Sequence, residues 1–374
     1  MSKNIDGKDI TTAFRKRQQI LKKTMASLDS SRYSNLSLRE ALTLNGWTNR
    51  TAIDNLVEYV VIDDMEGVPP ELLSVSHFVK QSGINTKLGR QFFITEQNGY
   101  KKLIDGLEEL ALQGDSTKLK LDHEVKKIHW NKYGVRVETS NGKVFTAKVL
   151  ISTASNGVYH NSPHLFYPKL PKWKQDALWK FKMATYTKIF LKFPYRFWDN
   201  VEYIFYAAEK RGTFPVWQSL DAGNRYNKNT NMLLLPVTGQ ESYRVEQMKE
   251  NDLIKEIMSQ VMSVYGPNVP WPTDIVVPKW SSKEHFYGSF TYLPAFTSHA
   301  DFVALRANVG PIFFAGEATH EVHQSYIHGA YFEGINRACD AIQALRGFLD
   351  VSSGQFDYNY YDSCLRDSCN CCSK

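Results

Sequence analysis

Between Ile312 and Gly334 the chain reads IFFAGEATHEVHQSYIHGAYFEG, a stretch whose local fold is tightly constrained. Ile312-Phe313-Phe314-Ala315 is a short apolar run of the kind that makes a buried strand, and it ends at Gly316-Glu317, where the backbone must turn. After a polar loop the pattern changes to helical spacing. Ala330, Gly334, Ile335, Ala338, Ile342 and Leu345 recur at three- and four-residue steps, which predicts a helix from about Ile327 with a face small enough for another backbone or a flat ligand to approach. The start of that helix offers free N–H groups and a positive dipole end, and Glu317 offers a carboxylate to hydroxyl groups.

The 374 residues suffice for two domains with their own cores. The net charge of +6 is spread along the chain and not gathered in a block, so it predicts no nucleic-acid partner. No apolar run approaches the about 18 residues that a membrane span requires. The opening MSKNIDGKDITTAFRKRQQ lacks the apolar core of a secretion signal and reads as cytoplasmic. The acceptor patterns Asn35-Leu36-Ser37 and Asn49-Arg50-Thr51 would suit a secreted protein with a truncated start, and the crowding of Cys364, Cys369, Cys371 and Cys372 points the same way. Residues 351–374, which hold those four cysteines, read as a tail outside the fold.

Residues 1 to about 56 read as helical and polar, with Ser37-Leu38-Arg39-Glu40 as a capping box and Asn45-Gly46 as a turn. From Phe92 to Leu112 a strand, an Asn-Gly turn and an amphipathic helix are predicted. Glu124 to Trp130, Gly134 to Thr139 and Lys143 to Ile151 read as a three-stranded meander, with Asn141-Gly142 as the hairpin between the last two. In MATYTKIFLKFPYRFW, period-2 alternation puts Tyr186, Lys188 and Phe190 on one face and Thr187, Ile189 and Leu191 on the other. VWQSL and LLLPVTG read as further strands, and residues 241–264 as one helix. His320, His323 and His328 have no spacing typical of a metal site, and no Ser/His/Asp or Cys/His nucleophile set stands out.

The pattern F-x-G-E-x-T-x(6)-Y-x-H-G-A-Y-x-x-G, with Gly99-Tyr100-x-x-Leu103, Thr273 to Trp280 and Gly288-Ser289-Phe290, resembles the flavin-containing amine oxidases and most closely the polyamine oxidases. The resemblance runs from about Val57 to about Leu345 and implies an α+β chain with the two-domain amine oxidase fold. Residues 1–87 with 183–290 would form the substrate domain, and 88–182 with 291–350 the FAD domain. The implied reaction oxidises spermine, spermidine or an acetylated form to an imine, with hydride passing to flavin N5 and O2 returning it as peroxide. By the same resemblance Lys188 lies near the reactive edge of the flavin, joined to it through a water. Tyr186, Phe290 and Tyr326 become aromatic walls, and one of the acids before Pro69-Pro70, Asp64 or Glu66, faces the substrate. Val125, Trp280, Glu317 and Ile327 become FAD contacts. Monoamine oxidases attach FAD through a Cys in the segment here written SFTYLP, so its absence implies non-covalent FAD.

The family's opening G-x-G-x-x-G turn, which holds the FAD pyrophosphate, occurs nowhere in this sequence. Weak FAD binding by the chain alone is therefore one expectation, and a flavin-free relative acting as a binding partner is the alternative reading. A histone-demethylase-like oxidase would need an inserted coiled-coil tower, which is not found in the sequence.

Overall fold

The computed structural model describes residues 1–76, 78–79, 94, 96–222 and 229–347. The predicted strand near Phe92 and the cysteine-rich tail lie outside the described residues. The chain divides into two compact units, one formed by Met1–Gly89, Asn156–Val158 and Lys180–Thr297, the other by Arg90–Ser155, Tyr159–Trp179 and Ser298–Lys374.

The first unit is built on a six-stranded sheet. Its order is Ser2–Asn4, Tyr203–Ala207, Val216–Ser219, Met232–Thr238, Tyr186–Lys192 and Asp274–Val276. The alternation read in Tyr186–Lys192 is physical. Thr187, Ile189 and Leu191 are fully buried, and Ile189 and Leu191 pack with Val245, Leu253, Ile257, Met258 and Val261 of the helices Gly239–Gln247 and Glu250–Tyr265. The opposite face carries Tyr186, Lys188 and Phe190. The single helix expected over 241–264 is two, because Met248 and Lys249 both take extended dihedrals between them.

The N-terminal region departs from the polar helical reading. Ser2–Asn4 is an edge strand parallel to Tyr203–Ala207, a pairing across 200 residues that no local pattern signals. The helices Thr11–Ala26, Leu38–Leu44 and Ala52–Glu58 bury Phe14, Leu21, Leu38, Leu42, Leu56 and Val57 in a core of their own. Capping boxes start the second and third of these helices, Ser37 with Glu40 as expected and Thr51 with Asp54. Glu58 at the end of the third is fully buried, accepting from both terminal nitrogens of Arg39, from Trp47 Nε1 at 2.9 Å and from Arg211 at 2.8 Å. From there a π-helical turn, Tyr59–Asp63, leads directly into the short helical turn Asp64–Glu66.

The second unit holds a four-stranded sheet ordered Val144–Ala147, Gly134–Thr139, Val125–Asn131 and Phe166–Tyr167. The third strand of the predicted meander is shorter than expected. Its end, Leu150–Ser152, leaves the meander and pairs in parallel with Ile312–Phe314. Phe313 and Ala341 of the helix Ile327–Leu345 form the core there, with Val149, Ile151 and Ala344 against them. Buried charges fix the neighbouring helix His299–Arg306. Lys174 Nζ is held by the carbonyls of Ala304 at 3.2 Å, Ala307 at 2.7 Å and Leu305, and Arg306 Nε meets Glu333 at 3.0 Å. Lys174 thus closes the C-terminus of that helix, and its own pKa falls well below the ordinary lysine value because it is desolvated and feels Arg337.

Candidate active site

In the first unit, the strand Tyr186–Lys192 presents its solvent-side residues to the turn Asp64–Glu66. Tyr186 Oη donates to Asp64 Oδ1 at 2.7 Å, Lys188 Nζ lies 5.7 Å from the centre of the Tyr186 ring, and Phe290 is 6.3 Å from it ring to ring. Ser289 clamps the backbone of Tyr186, accepting from its N–H at 2.9 Å and donating to its carbonyl at 3.1 Å. Gly67 allows the close approach of Phe290: at φ 74° it is left-handed, and a Cβ there would lie 2.8 Å from Phe290 Cζ.

Asp64 and Glu66 are not freely solvated charges. Burial pushes Asp64 above the usual carboxylate range, and the Tyr186 hydrogen bond and the Lys188 charge only partly oppose it. Burial alone pushes Glu66 up to about 7, since no hydrogen bond to its carboxyl is formed among the described residues. Tyr186 is raised in turn by burial and by Asp64. Asp64, desolvated beside Tyr186 and Lys188, with the desolvated Glu66 two residues on, makes an environment that a cationic ligand would relieve.

Trp280 opens the short turn Trp280–Ser282, with Phe286 edge-on at 5.4 Å and Lys283 Nζ 4.2 Å from its ring centre. Its carbonyl accepts from Gly288 N–H at 3.1 Å, one residue before Ser289. Lys188, Tyr186, Asp64 and Phe290 are therefore gathered, with Glu66 in the same turn as Asp64.

In the second unit, Gly316 adopts φ 139° at the end of the Ile312–Phe314 strand, and none of the described residues comes within 4 Å of where a Cβ would stand. Glu317 Oε2 accepts from Ser325 N–H at 2.8 Å, which folds the loop back toward the start of the Ile327–Leu345 helix. Tyr326 is the N-cap residue, Ile327 the first helical residue and 52% exposed, and that helix end carries no side-chain cap. Gln324 is 0% exposed, yet neither its amide nitrogen nor its oxygen has a partner among the described residues. Sequence reasoning missed it, because a glutamine in a polar loop carries no signal. Val125 lies apart on the meander, 43% exposed at the β-bulge between Val125 and Lys127. The rings of His320 and His323 lie tilted 4.9 Å apart and His323 meets His328 edge-on at 4.6 Å, and no group of three metal-ligating side chains that could hold an ion exists among the described residues.

Comparison with known proteins supplies the family. Residues 9–342 match the model of the flavin containing amine oxidoreductases. Polyamine oxidase 1 of Zea mays is 33% identical over 335 residues, covering 86% of this chain and 66% of its own. Polyamine oxidase 6 of Oryza sativa subsp. japonica is 35% identical over 296 residues, covering 76% and 59%. The chain thus spans about three-fifths to two-thirds of the length of these relatives. A putrescine oxidase bound to putrescine superposes with a TM-score of 0.70 at 16% identity over 90% of this chain and 77% of that one. Cyclohexylamine oxidase from Brevibacterium oxydans IH-35A gives a TM-score of 0.67 at 16% identity over 90% and 76%, so both share the amine oxidase fold. Among the described residues no helix is long and apolar enough to cross a membrane. With nearly the whole chain matched by one family model and the fold matched independently, this protein belongs to the flavin containing amine oxidoreductase family.

Proposed function

We propose that this chain oxidises a secondary amine within a polyamine, spermine, spermidine or an N-acetylated form, using FAD held without a covalent bond and dioxygen as final acceptor. The observation that carries the reading is the group on the Lys188 strand: two desolvated carboxyls, a tyrosine hydrogen-bonded to one of them, a second aromatic wall and a lysine. A flexible chain of ammonium groups and methylenes needs carboxylates for its charges and ring faces for its apolar links.

In the second unit, the Gln324 amide has no hydrogen-bond partner among the described residues and lies just before a helix start that has no side-chain cap, an arrangement that fits an electron-rich ring system. Glu317, Ile327 and Val125 in that unit would hold FAD, which when bound supplies the two-electron acceptor. The first unit reads as the substrate domain and the second as the FAD domain. Lys188 orders water at the reacting atoms, Tyr186 and Phe290 flank the amine, and Asp64 and Glu66 pair with its remote ammonium groups.

Peroxide release from a panel of amines tests the assignment, and charge neutralisation sharpens it. Asp64→Asn with Glu66→Gln raises KM for spermine by about tenfold, the loss of one charge-assisted hydrogen bond, and changes KM for a short monoamine far less. Equal effects on both amines would remove these acids from the site. Binding an ammonium favours ionised Glu66, so affinity falls as pH drops below about 7. The stability linkage has the opposite slope. Because the folded value is raised above 4.5, Glu66 favours the native state at low pH and that contribution is lost as pH rises through about 7. Glu66→Gln therefore raises Tm at pH 8 relative to wild type more than it does at pH 5, as calorimetry at the two pH values will read.

A further inference from the structure

Among the described residues of the first unit, the buried acids Asp54, Glu58, Asp63 and Glu241 each have an arginine partner. Glu246, only 4% exposed, has none within ion-pair distance. Its carboxylate is satisfied entirely by neutral donors. Oε1 accepts from Thr187 Oγ1 at 2.6 Å, Oε2 accepts from Ser281 N–H at 3.0 Å, and Ser281 Oγ donates to Oε2 as well. Since the Thr187 proton is committed to Glu246, Ser242 Oγ donates to Thr187 Oγ1 at 2.7 Å and completes the chain. A buried carboxylate without a counter-ion is a poor device for stability, because hydroxyl and amide donors offset its desolvation less fully than a cation does.

Its neighbours show what it joins. Thr187 precedes Lys188 on the strand, and successive strand residues point to opposite faces. Holding Thr187 against Glu246 thus directs Lys188 to the face where Tyr186 and Phe190 stand. Ser281 follows Trp280, whose turn begins without a side-chain cap of its own. One carboxylate on the helix Gly239–Gln247 therefore grips, from behind, the residue next to the lysine and the residue next to the tryptophan.

We propose that Glu246 is a positioning residue for amine oxidation: it fixes the spacing between the Lys188 strand and the Trp280 turn. This rests on the reading that Lys188 and Trp280 face the flavin. Lys188 and Trp280 lie on separate elements whose strand and turn geometry does not set their mutual distance, so a shared rigid acceptor is what would hold them within the tolerance that oriented chemistry demands.

Amide hydrogen exchange followed by turnover tests it in Glu246→Gln, which keeps the shape but loses one acceptor, and in Ser281→Ala, which loses one donor and should fold in any case. In Glu246→Gln the exchange of residues 279–283 quickens by about tenfold while that of 250–265 stays within about twofold. In the flavin-loaded enzyme kcat falls by about tenfold in Glu246→Gln and by less in Ser281→Ala, with KM for spermine nearly unchanged in both. Exchange quickening equally throughout the first unit would make Glu246 a stability residue and overturn the proposal. So would a loosened turn with unchanged kcat. Exchange requires neither flavin nor amine, so an inert effect of Lys188→Met would fail the lysine's assignment alone and leave the grip of Glu246 to be read directly.

Discussion

Lys188→Met slows amine-dependent peroxide release by about 100-fold, the cost typical of misplaced groups at a reacting centre, while flavin content and Tm stay near wild type. The argument begins with the strand. Thr187 and Ile189 are completely buried and Lys188 is exposed between them, opposite Pro236 of the neighbouring strand. Methionine keeps the length and the apolar stem, so neither the register nor the core beneath should respond. What disappears is the ammonium near Tyr186, together with one of the two groups that restrain the rise of the Asp64 pKa. On the proposed reading of Lys188, the loss therefore falls on ordered water and on charge at the reacting atoms. Stopped-flow measurement of the reductive and oxidative half-reactions decides the matter. Rates within about threefold of wild type in both would remove Lys188 from the chemistry.

Gly329→Ala lowers stability by about 3 kcal/mol, near the upper end of overpacking costs, and loosens the loop that carries Glu317. Alanine is the better helix former by roughly 0.5–1 kcal/mol, so propensity alone predicts the opposite sign. Geometry decides it. A Cβ on Gly329 would lie 2.0 Å from the carbonyl oxygen and 2.9 Å from the carbonyl carbon of His323. Those are backbone atoms and cannot rotate aside, so the loop before the helix must move, and the Ser325 N–H to Glu317 contact moves with it. Gly334→Ala is the control. Among the described residues nothing lies within 4 Å of its Cβ position, and the substitution stabilises by roughly 0.5–1 kcal/mol through propensity. Urea midpoints measured for both variants test the pair, and a Gly329→Ala protein as stable as Gly334→Ala would refute the packing account.

Gly329 also shows where sequence reading stopped. The small residues on the Ile327–Leu345 helix left open whether another backbone or a flat ligand approaches, and at Gly329 it is the backbone of the chain's own loop. Elements defined within a few residues were legible. Ile312–Phe314 is a strand, the helix begins at Ile327, Ser37 and Glu40 cap as a box, and the alternation that exposes Lys188 follows from period-2 geometry.

What the sequence determined by itself about this protein is therefore its family and its local elements, because capping, turn chemistry and hydrophobic period act over one or two turns of chain. Tertiary structure decided the rest. Asp64 became a half-buried partner of Tyr186, 122 residues away, and the half-buried Glu66 is desolvated enough to be pushed up to about 7. Leu150–Ser152 left a hairpin-like run for a parallel partner at Ile312–Phe314, and Ser2–Asn4 found Tyr203–Ala207. Glu246 gathered Thr187 and Ser281. In each case the deciding quantity is desolvation or pairing by residues far along the chain, which local pattern does not encode and only packing brings together.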